Sequence, residues 1–450
     1  MLSFKNVSCL PNSVESIQNK ITSLYPSTYS LRSLEGKYYT KTYLQHRIDG
    51  KDEIFFIVNS DKEDERHYTL DIANAGKRRL LKLDAVNGEA YLADTKKEKD
   101  KLVYKFSLPP AGSLLLMLSA TLGNFKKDRI SPDIRMAEVV SLPPSFESER
   151  RDANVLVLDR ISVSYDGNTF EKENTDWRVR KSIAERFGLQ DAVRWQPWVS
   201  NKKGIFKGKG GKIVLRYKFF SDVERPNSYL VIEDIQKGRV FINGIEVPTD
   251  DKNMGWHWDR SFKKVAITKY VKKGENIVDF TVAYDVASEI EPIYIVGDFG
   301  VEIVNLYKGK IVKEKNTLKN GSLTGQGYPF YSGRMIYKSM FNFTGGKKRV
   351  FLKIINPSGT LFKIKINGKN AGNILWSPYM LEITPFIKKG KNNISVELVS
   401  SLQNSWGPLH EKEGDDNRWC GPHAFEDESF VREELSLFNY GIGGLEILSV

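Results

Sequence analysis

The chain has 450 residues, enough for about three domains at roughly 150 residues each. Its 40% hydrophobic and 12% aromatic content excludes global disorder, and its two cysteines, Cys9 and Cys420, exclude a disulfide framework or a cysteine metal knuckle. The net charge of +12 raises the question of a polyanionic partner, but no nucleic-acid recognition motif accompanies it, so nucleic acid is not expected.

Met1 to Leu10 lacks the basic start and apolar run of a secretion signal, which points to a cytoplasmic location. Residues 11–24 suit a short helix, with Asn12 or Ser13 as cap and Val14, Ile17, Ile21 and Leu24 at helical spacing. Strand patterns then follow at Glu53–Val58, Tyr68–Ile72, Leu80–Leu83, Val103–Leu108 and Leu114–Leu118, with Asn87-Gly88 as a hairpin signal. The apolar run at Leu114–Leu118 is the longest in the chain and far short of the ~20 residues that span a bilayer, so no membrane association is expected. Short strands between turns describe a small antiparallel β-sandwich over 40–120, after an N-terminal helical piece at 1–39. Residues 121–150, with Pro132, Pro143 and Pro144, have the look of a connector, and the whole of 121–178 is read as a linker carrying one strand, Val155–Leu158. Trp177–Gln190 suits a helix, since Val179, Ile183, Ala184 and Phe187 share a face. Lysines gather in turns such as Lys207-Gly208-Lys209-Gly210, where they solvate the chain and guard strand edges.

From Ile213 onward a repeat sets the organisation. Ile242-Asn243-Gly244 recurs as Ile366-Asn367-Gly368, Ile267-Thr268 as Ile383-Thr384, and Lys272-Lys273-Gly274 as Lys388-Lys389-Gly390, with Asn276 matching Asn392. The offset is 124 residues for the first pair and 116 for the others, so the first copy holds eight extra residues around Trp256, His257 and Trp258. Asn-Gly tolerates positive φ in a two-residue hairpin turn, so each copy reads as hairpins stacking into two sheets. The expected fold is all-β: a small sandwich, then two tandem galactose-binding-like jelly rolls at 179–305 and 322–450.

The order strand, Ile-Asn-Gly, Ile-Thr, Lys-Lys-Gly-x-Asn resembles the sugar-binding jelly roll of family 2 glycoside hydrolases. Gly327-Tyr328-Pro329-Phe330-Tyr331-Ser332-Gly333 leading to Tyr337, Gly297-Asp298-Phe299-Gly300, and His46-Arg47-Ile48-Asp49-Gly50 running into Ile54–Asn59 resemble the C-terminal non-catalytic β-domains of family 106 (α-L-rhamnosidase-like) glycoside hydrolases. In that family a (β/α) barrel before these domains supplies the catalytic carboxylates. Nothing here resembles the barrel, and the forty residues before the first sandwich are too few for its ~250. The resemblance therefore implies a carbohydrate-associated, non-catalytic chain that binds or positions a saccharide, acidic or rhamnose-containing. The alternative is a fragment or subunit of an active glycoside hydrolase whose catalytic barrel is on a partner chain. A third reading is an interaction module for acidic polymers. No catalytic residue, cofactor or metal is expected.

Two clusters are candidates for sugar contact, because sugar C–H faces stack on aromatic rings. One is Trp256, His257 and Trp258; its alternative is core packing for one tryptophan. The other is the long loop with Trp406, His410, Trp419 and His423, near Asp415, Asp416 and Glu426; its alternative is a packing surface. Trp376 and Tyr379 read as core, and Trp195 and Trp198 as interface anchors. Glu289 and Glu291, two apart and ~7 Å along a strand, imitate a catalytic dyad but precede Pro292 and read as a solvated edge.

Overall fold

The computed structural model describes residues 11–450 apart from 12, 25–26, 122, 128–135, 190–209, 251–253, 286–287, 347 and 413–430. The chain forms two compact units: residues 1–135 with 376–378, and residues 136–375 with 379–450. The fold is nearly all β, as the alternation of apolar residues requires.

In the first unit a helix, Val14–Leu24, leads into strands β1 (Tyr29–Ser33), β2 (Thr42–Asp49), β3 (Asp52–Asn59), β4 (Arg66–Ala73), β5 (Arg79–Leu83), β6 (Ala90–Leu92), β7 (Thr95–Glu98), β8 (Lys101–Leu108), β9 (Ser113–Ser119) and β10 (Lys126–Lys127). They form two sheets, β1-β4-β8-β7 and β10-β6-β5-β9-β3-β2. Phe55 and Ile57 on β3, Leu70 and Ile72 on β4, and Leu114, Leu116 and Leu118 on β9 alternate inward to make the core. Asn87-Gly88 sits in a longer loop, in which the Asp84 carboxylate accepts from the Val86 N–H, instead of a two-residue hairpin turn. The apolar side of the helix stays exposed, with Val14 at 73% and Leu24 at 59%.

The second unit holds both jelly rolls, and the first is nested in the second. β11 (Glu138–Ser141) and β12 (Ser145–Arg150) are followed by β13 (Asn154–Leu158), β14 (Arg160–Ser164), β15 (Asn174–Thr175), the second helix (Asp176–Arg186), β16 (Gly211–Ser221), β17 (Ser228–Glu233), β18 (Gly238–Ile242), β19 (Ile245–Val247), β20 (Gly255–His257), β21 (Asp259–Ala266), β22 (Gly274–Tyr284), β23 (Ile293–Gly297), β24 (Gly300–Ile303) and β25 (Gly309–Val312). Then come β26 (Thr317–Lys319), β27 (Gly321–Ser322), β28 (Arg334–Phe343), β29 (Val350–Ile355), β30 (Leu361–Ile366), β31 (Lys369–Ile374), β32 (Met380–Glu382), β33 (Gly390–Val399), β34 (Gly441–Ile442) and β35 (Gly444–Ser449). The first jelly roll has sheets β13-β23-β17-β21-β20 and β15-β14-β16-β22-β18-β19; the second has β11-β35-β29-β32 and β26-β12-β28-β33-β30-β31. Apart from the extra edge strand β20 the orders coincide, with β13 and β14 matching β11 and β12. The stretch expected as a connector thus supplies the opening strand pair of the second jelly roll, before the first begins. The sequence hides this because Glu138–Ser141 is exposed throughout and Ser145–Arg150 buries fully only Phe146.

The repeated motifs have a shared physical cause. Asn243 and Gly244 take φ of 52° and 81° in the β18–β19 turn, and Asn367 and Gly368 take 52° and 79° in the β30–β31 turn. The Asn243 Nδ2 donates to Asn276 Oδ1 at 2.9 Å and to the Tyr270 carbonyl at 3.0 Å, while Asn243 Oδ1 accepts from the Ile277 N–H. Asn276, fully buried, donates to the Lys272 and Gly274 carbonyls and accepts from the Lys272 N–H. The second copy repeats this bond for bond: Asn367 to Asn392 at 2.8 Å and to Phe386, and Asn392 to Lys388 and Gly390. The Ile-Thr motif adds the Thr268 and Thr384 hydroxyls, which accept from the N–H groups of Ser228 and Val350. No helix among the described residues is long and apolar enough to cross a membrane.

Removing a buried bracket leaves several backbone groups unpaired, each costing about 1–3 kcal/mol. Asn392→Ala is therefore expected to lower the unfolding free energy of the second unit by about 2–4 kcal/mol, measured by urea denaturation. A loss below about 1 kcal/mol would show that the bracket is dispensable.

Candidate functional site

The stretch that carries the extra residues of the first copy includes an edge strand, Gly255–His257. β20 pairs with β21, its register shifts between Trp256 and His257, and Trp258 turns the chain at φ 60°. This bulged hairpin sends the neighbouring tryptophans different ways. Trp256 stays 55% exposed, whereas Trp258 packs against the core of the first jelly roll, its ring 5.0 Å from Tyr294 and edge-on to it. His257 lies between, 4.3 Å from the Trp258 ring. Burial, seconded by the charge of Lys264, holds the His257 imidazole down at about 4, so it is neutral at physiological pH. Its Nε2 is buried without a hydrogen-bond partner.

The second sequence cluster reaches the same place. Trp406 ends the short helix Gln403–Trp406 of the second jelly roll. Buried Asn404 fixes that turn by donating to the carbonyls of Pro329 and Phe438 at 3.0 and 2.8 Å. Ser405 adds a hydroxyl contact to Ser332 at 2.6 Å. The Trp406 ring stacks on Trp258 at 6.1 Å and 17°, meets Phe262 edge-on at 5.1 Å, and remains 39% exposed. Trp258 from one jelly roll and Trp406 from the other thus form one aromatic cluster where the two meet.

The motif Gly327–Gly333 builds the seam beside it. Tyr328, Phe330 and Tyr331 are buried, Tyr331 donates to the Arg334 carbonyl at 2.7 Å, and Asp152 pairs with Arg334 at 3.0 Å. Arg150 bridges Asp298 at 2.9 Å and Glu314 at 2.6 Å. Asn154 donates to the carbonyls of Phe299 and Gly327.

His410 is placed otherwise. It is 5% exposed, its Nε2 is 2.7 Å from Asp159 Oδ2 and its Nδ1 3.2 Å from the Glu434 carbonyl. Burial alone would lower its pKa, but the Asp159 carboxylate outweighs that and raises it. His410 thus ties its loop to the first jelly roll and faces no solvent. Trp419, His423, Asp415, Asp416 and Glu426 lie outside the described residues, as do Trp195, Trp198 and both cysteines. Trp376 is 54% exposed, while Tyr379 packs partly against the second core.

Glu289 and Glu291 do not lie along a strand, since β23 begins only at Ile293. They converge with Glu233 of β17, so that carboxylate oxygens of all three lie within 4.8 Å. Burial, reinforced by neighbouring negative charges, pushes Glu291 up to about 8 and Glu233 up to about 7. Asp176, at the start of the second helix, rises to about 7 through burial and the charge of Asp159. Sequence spacing could not show this, because Glu233 is more than fifty residues upstream.

No family model matches the chain, and no curated protein does either. Solved structures to which it is similar include a rhamnosidase from Novosphingobium sp. PP1Y, at 12% identity and TM-score 0.44, covering 97% of this chain and 26% of that one. An α-L-rhamnosidase from Streptomyces avermitilis, in complex with L-rhamnose, matches at 10% identity and TM-score 0.22, covering 86% of this chain and 31% of that one. A β-D-mannosidase from Dictyoglomus thermophilum matches at 12% identity and TM-score 0.20, covering 59% and 31%. These neighbours are glycoside hydrolases, and the chain spans between a quarter and a third of the length of each.

The site separates its tryptophans energetically. Trp256→Ala should change stability by no more than about 0.5 kcal/mol, as for a surface residue, whereas Trp258→Ala should cost about 2 kcal/mol by opening the core edge. Equal costs in urea denaturation would contradict this division.

The raised groups also set a pH dependence. Glu233, Glu291 and Asp176 hold protons in the folded state that the unfolded chain has released by pH 6.5, and His410 keeps its proton to higher pH than a free histidine. Stability of the second unit therefore falls as pH rises from 6.5 to 8.5. His257, lowered to about 4 in the folded state, opposes this fall only at the lower end of the window, until the unfolded chain's histidine has also lost its proton. Thermal unfolding should drop by roughly 2–4 °C or more across that window, for about 1 kcal/mol. Glu291→Gln should flatten the slope; an unchanged slope would remove Glu291 as one of its sources.

Proposed function

We propose that this chain is the carbohydrate-associated, non-catalytic β-sandwich portion of a glycoside hydrolase, and that it binds or positions a saccharide on the aromatic cluster between its jelly rolls. One observation carries the reading: exposed Trp256 and half-exposed Trp406, from different sandwiches, border a rigid stack anchored in the core by Trp258, Phe262 and Tyr294. Indole faces held in this way meet the C–H face of a pyranose with little further loss of side-chain freedom. The sequence motifs that resemble those of family 2 and family 106 glycoside hydrolases support the same reading. His410, buried against Asp159, is left out of the ligand face.

Saccharide binding tests the proposal. Trp256→Ala and Trp406→Ala should each weaken affinity for an oligosaccharide by about 1–2 kcal/mol, or roughly 5–30-fold, as for other aromatic contacts. Calorimetric titration of a neutral and an acidic oligosaccharide panel reads this directly. Binding that survives both substitutions would place the ligand elsewhere.

The same reading expects no hydrolysis of aryl α-L-rhamnosides or β-galactosides by the purified chain. Among the described residues, the acid group Glu233, Glu289 and Glu291 converges within 4.8 Å, closer than the ~5–9.5 Å separations that flank a scissile glycosidic bond. Turnover above a boiled control, abolished by one Glu or Asp substitution, would overturn it.

A further inference from the structure

A second surface on the same unit lies on the outer face of the β12-β28-β33-β30 sheet. It is a groove of about 370 Å³ lined by Arg151, Arg334, Lys338, Lys363, Lys365, Glu149, Glu397, Ser395 and Ile336. Strand register makes it an ordered lattice of groups. One row runs Glu149, Ile336, Glu397, Lys363, and the next runs Glu147, Lys338, Ser395, Lys365. Ile336, 5% exposed, forms an apolar floor. Lys338 reaches Glu147 and Glu149 at 2.9 and 3.2 Å, Lys363 reaches Glu397 at 3.2 Å, and Arg151 reaches Glu149 at 2.6 Å. Lys365 is exposed and makes no ion pair, and the Ser395 hydroxyl beside it makes no hydrogen bond, among the described residues.

We propose that this groove binds the carboxylate-bearing residues of a uronic-acid saccharide whose neighbouring residues rest on the Trp256–Trp406 face. The inference rests on the reading under Proposed function and adds the ligand's class to it. The cations supply donors for a carboxylate, with Lys365 already unpaired. Glu149 and Glu397 keep spare lone pairs that accept sugar hydroxyls. A nucleic-acid backbone offers phosphate acceptors and few hydroxyl donors, so those same carboxylates repel it, and the groove has no aromatic ring on which a base could stack. Five cations against two lining carboxylates suit one carboxylate per sugar better than a densely sulfated chain. Groove and aromatic face adjoin: Arg334 lines the groove, its partner Asp152 packs on Gly333, and the preceding Ser332 meets Ser405, the neighbour of Trp406.

The test compares alginate oligosaccharides with neutral cello-oligosaccharides of equal length, by calorimetry in low salt. Single-stranded DNA and dextran sulfate serve as further probes. The full chain should prefer the uronate by about tenfold, the effect of two exposed ion pairs, and the preference should fade with added salt. Lys363→Gln/Lys365→Gln and Lys363→Glu/Lys365→Glu should remove that preference, keep neutral binding within about twofold, and leave thermal unfolding unchanged, since both side chains are exposed. Neutral binding without a uronate preference, or a preference that survives both double substitutions, overturns the groove and leaves the aromatic face standing. Tighter binding of DNA or dextran sulfate than of the uronate also overturns it. Binding of no saccharide at all defeats the aromatic face and, with it, this inference.

Discussion

The two buried asparagines, Asn276 and Asn392, are the constraint around which both jelly rolls are organised. Each satisfies backbone groups of its own lysine-glycine turn and, through Asn243 or Asn367, the turn of a hairpin some thirty residues away in sequence. A buried amide left unpaired would be costly, so the bracket forms complete or not at all. It therefore locks the register between β18 and β22, and between β30 and β33. A one-residue slip there would turn Val278, Phe280 and Val282 out of the core. The repeat visible in the sequence is the trace of this hydrogen-bond geometry, since the amides must meet particular backbone groups while the apolar residues around them need only fill space.

That cause also marks where the sequence is legible. Asn-Gly, Ile-Thr and Lys-Lys-Gly-x-Asn each demand particular residue types, so the hairpins and their order could be read. Edge strands make weaker demands. Glu138–Ser141 pairs with β35 by backbone bonds alone, and nothing in its side chains marks it as the opening strand of a sandwich whose main body starts nearly two hundred residues later. The nesting of one jelly roll in the other follows from strand pairing, which composition and periodicity do not encode.

The site was legible in part for a similar reason. Trp256 to Trp258 stood out as an insertion and Trp406 as part of a long loop, but only the seam between sandwiches brings Trp258 and Trp406 into one stack. The division of labour between Trp256 and Trp258 depends on a register shift and a positive φ. Alternation alone would put both on one face. His410 shows the converse: a loop histidine among acids suggests a ligand or metal, yet its partner Asp159 lies some 250 residues upstream and makes it an anchor.

Nesting gives the seam a mechanical role. The chain passes from the second jelly roll into the first between Arg150 and Asn154, and returns between Val312 and Thr317. Both crossings are held by the same ion network: Arg150 grips Glu314 on the return and Asp298 at the end of β23, and Asp152 grips Arg334 at the start of β28. Two covalent crossings, with an ionic clasp centred on near-buried Arg150, restrict hinge motion far more than one flexible linker would. The proposed ligand face, assembled from both sandwiches, would need that restriction. Stacked indoles from independently moving domains would spend part of their interaction with a sugar on being brought together. Because Arg334 belongs at once to the clasp and to the basic groove, the element that fixes the sandwiches also fixes the spacing between aromatic face and cations. Under the proposed function, that spacing would set which saccharide repeat fits.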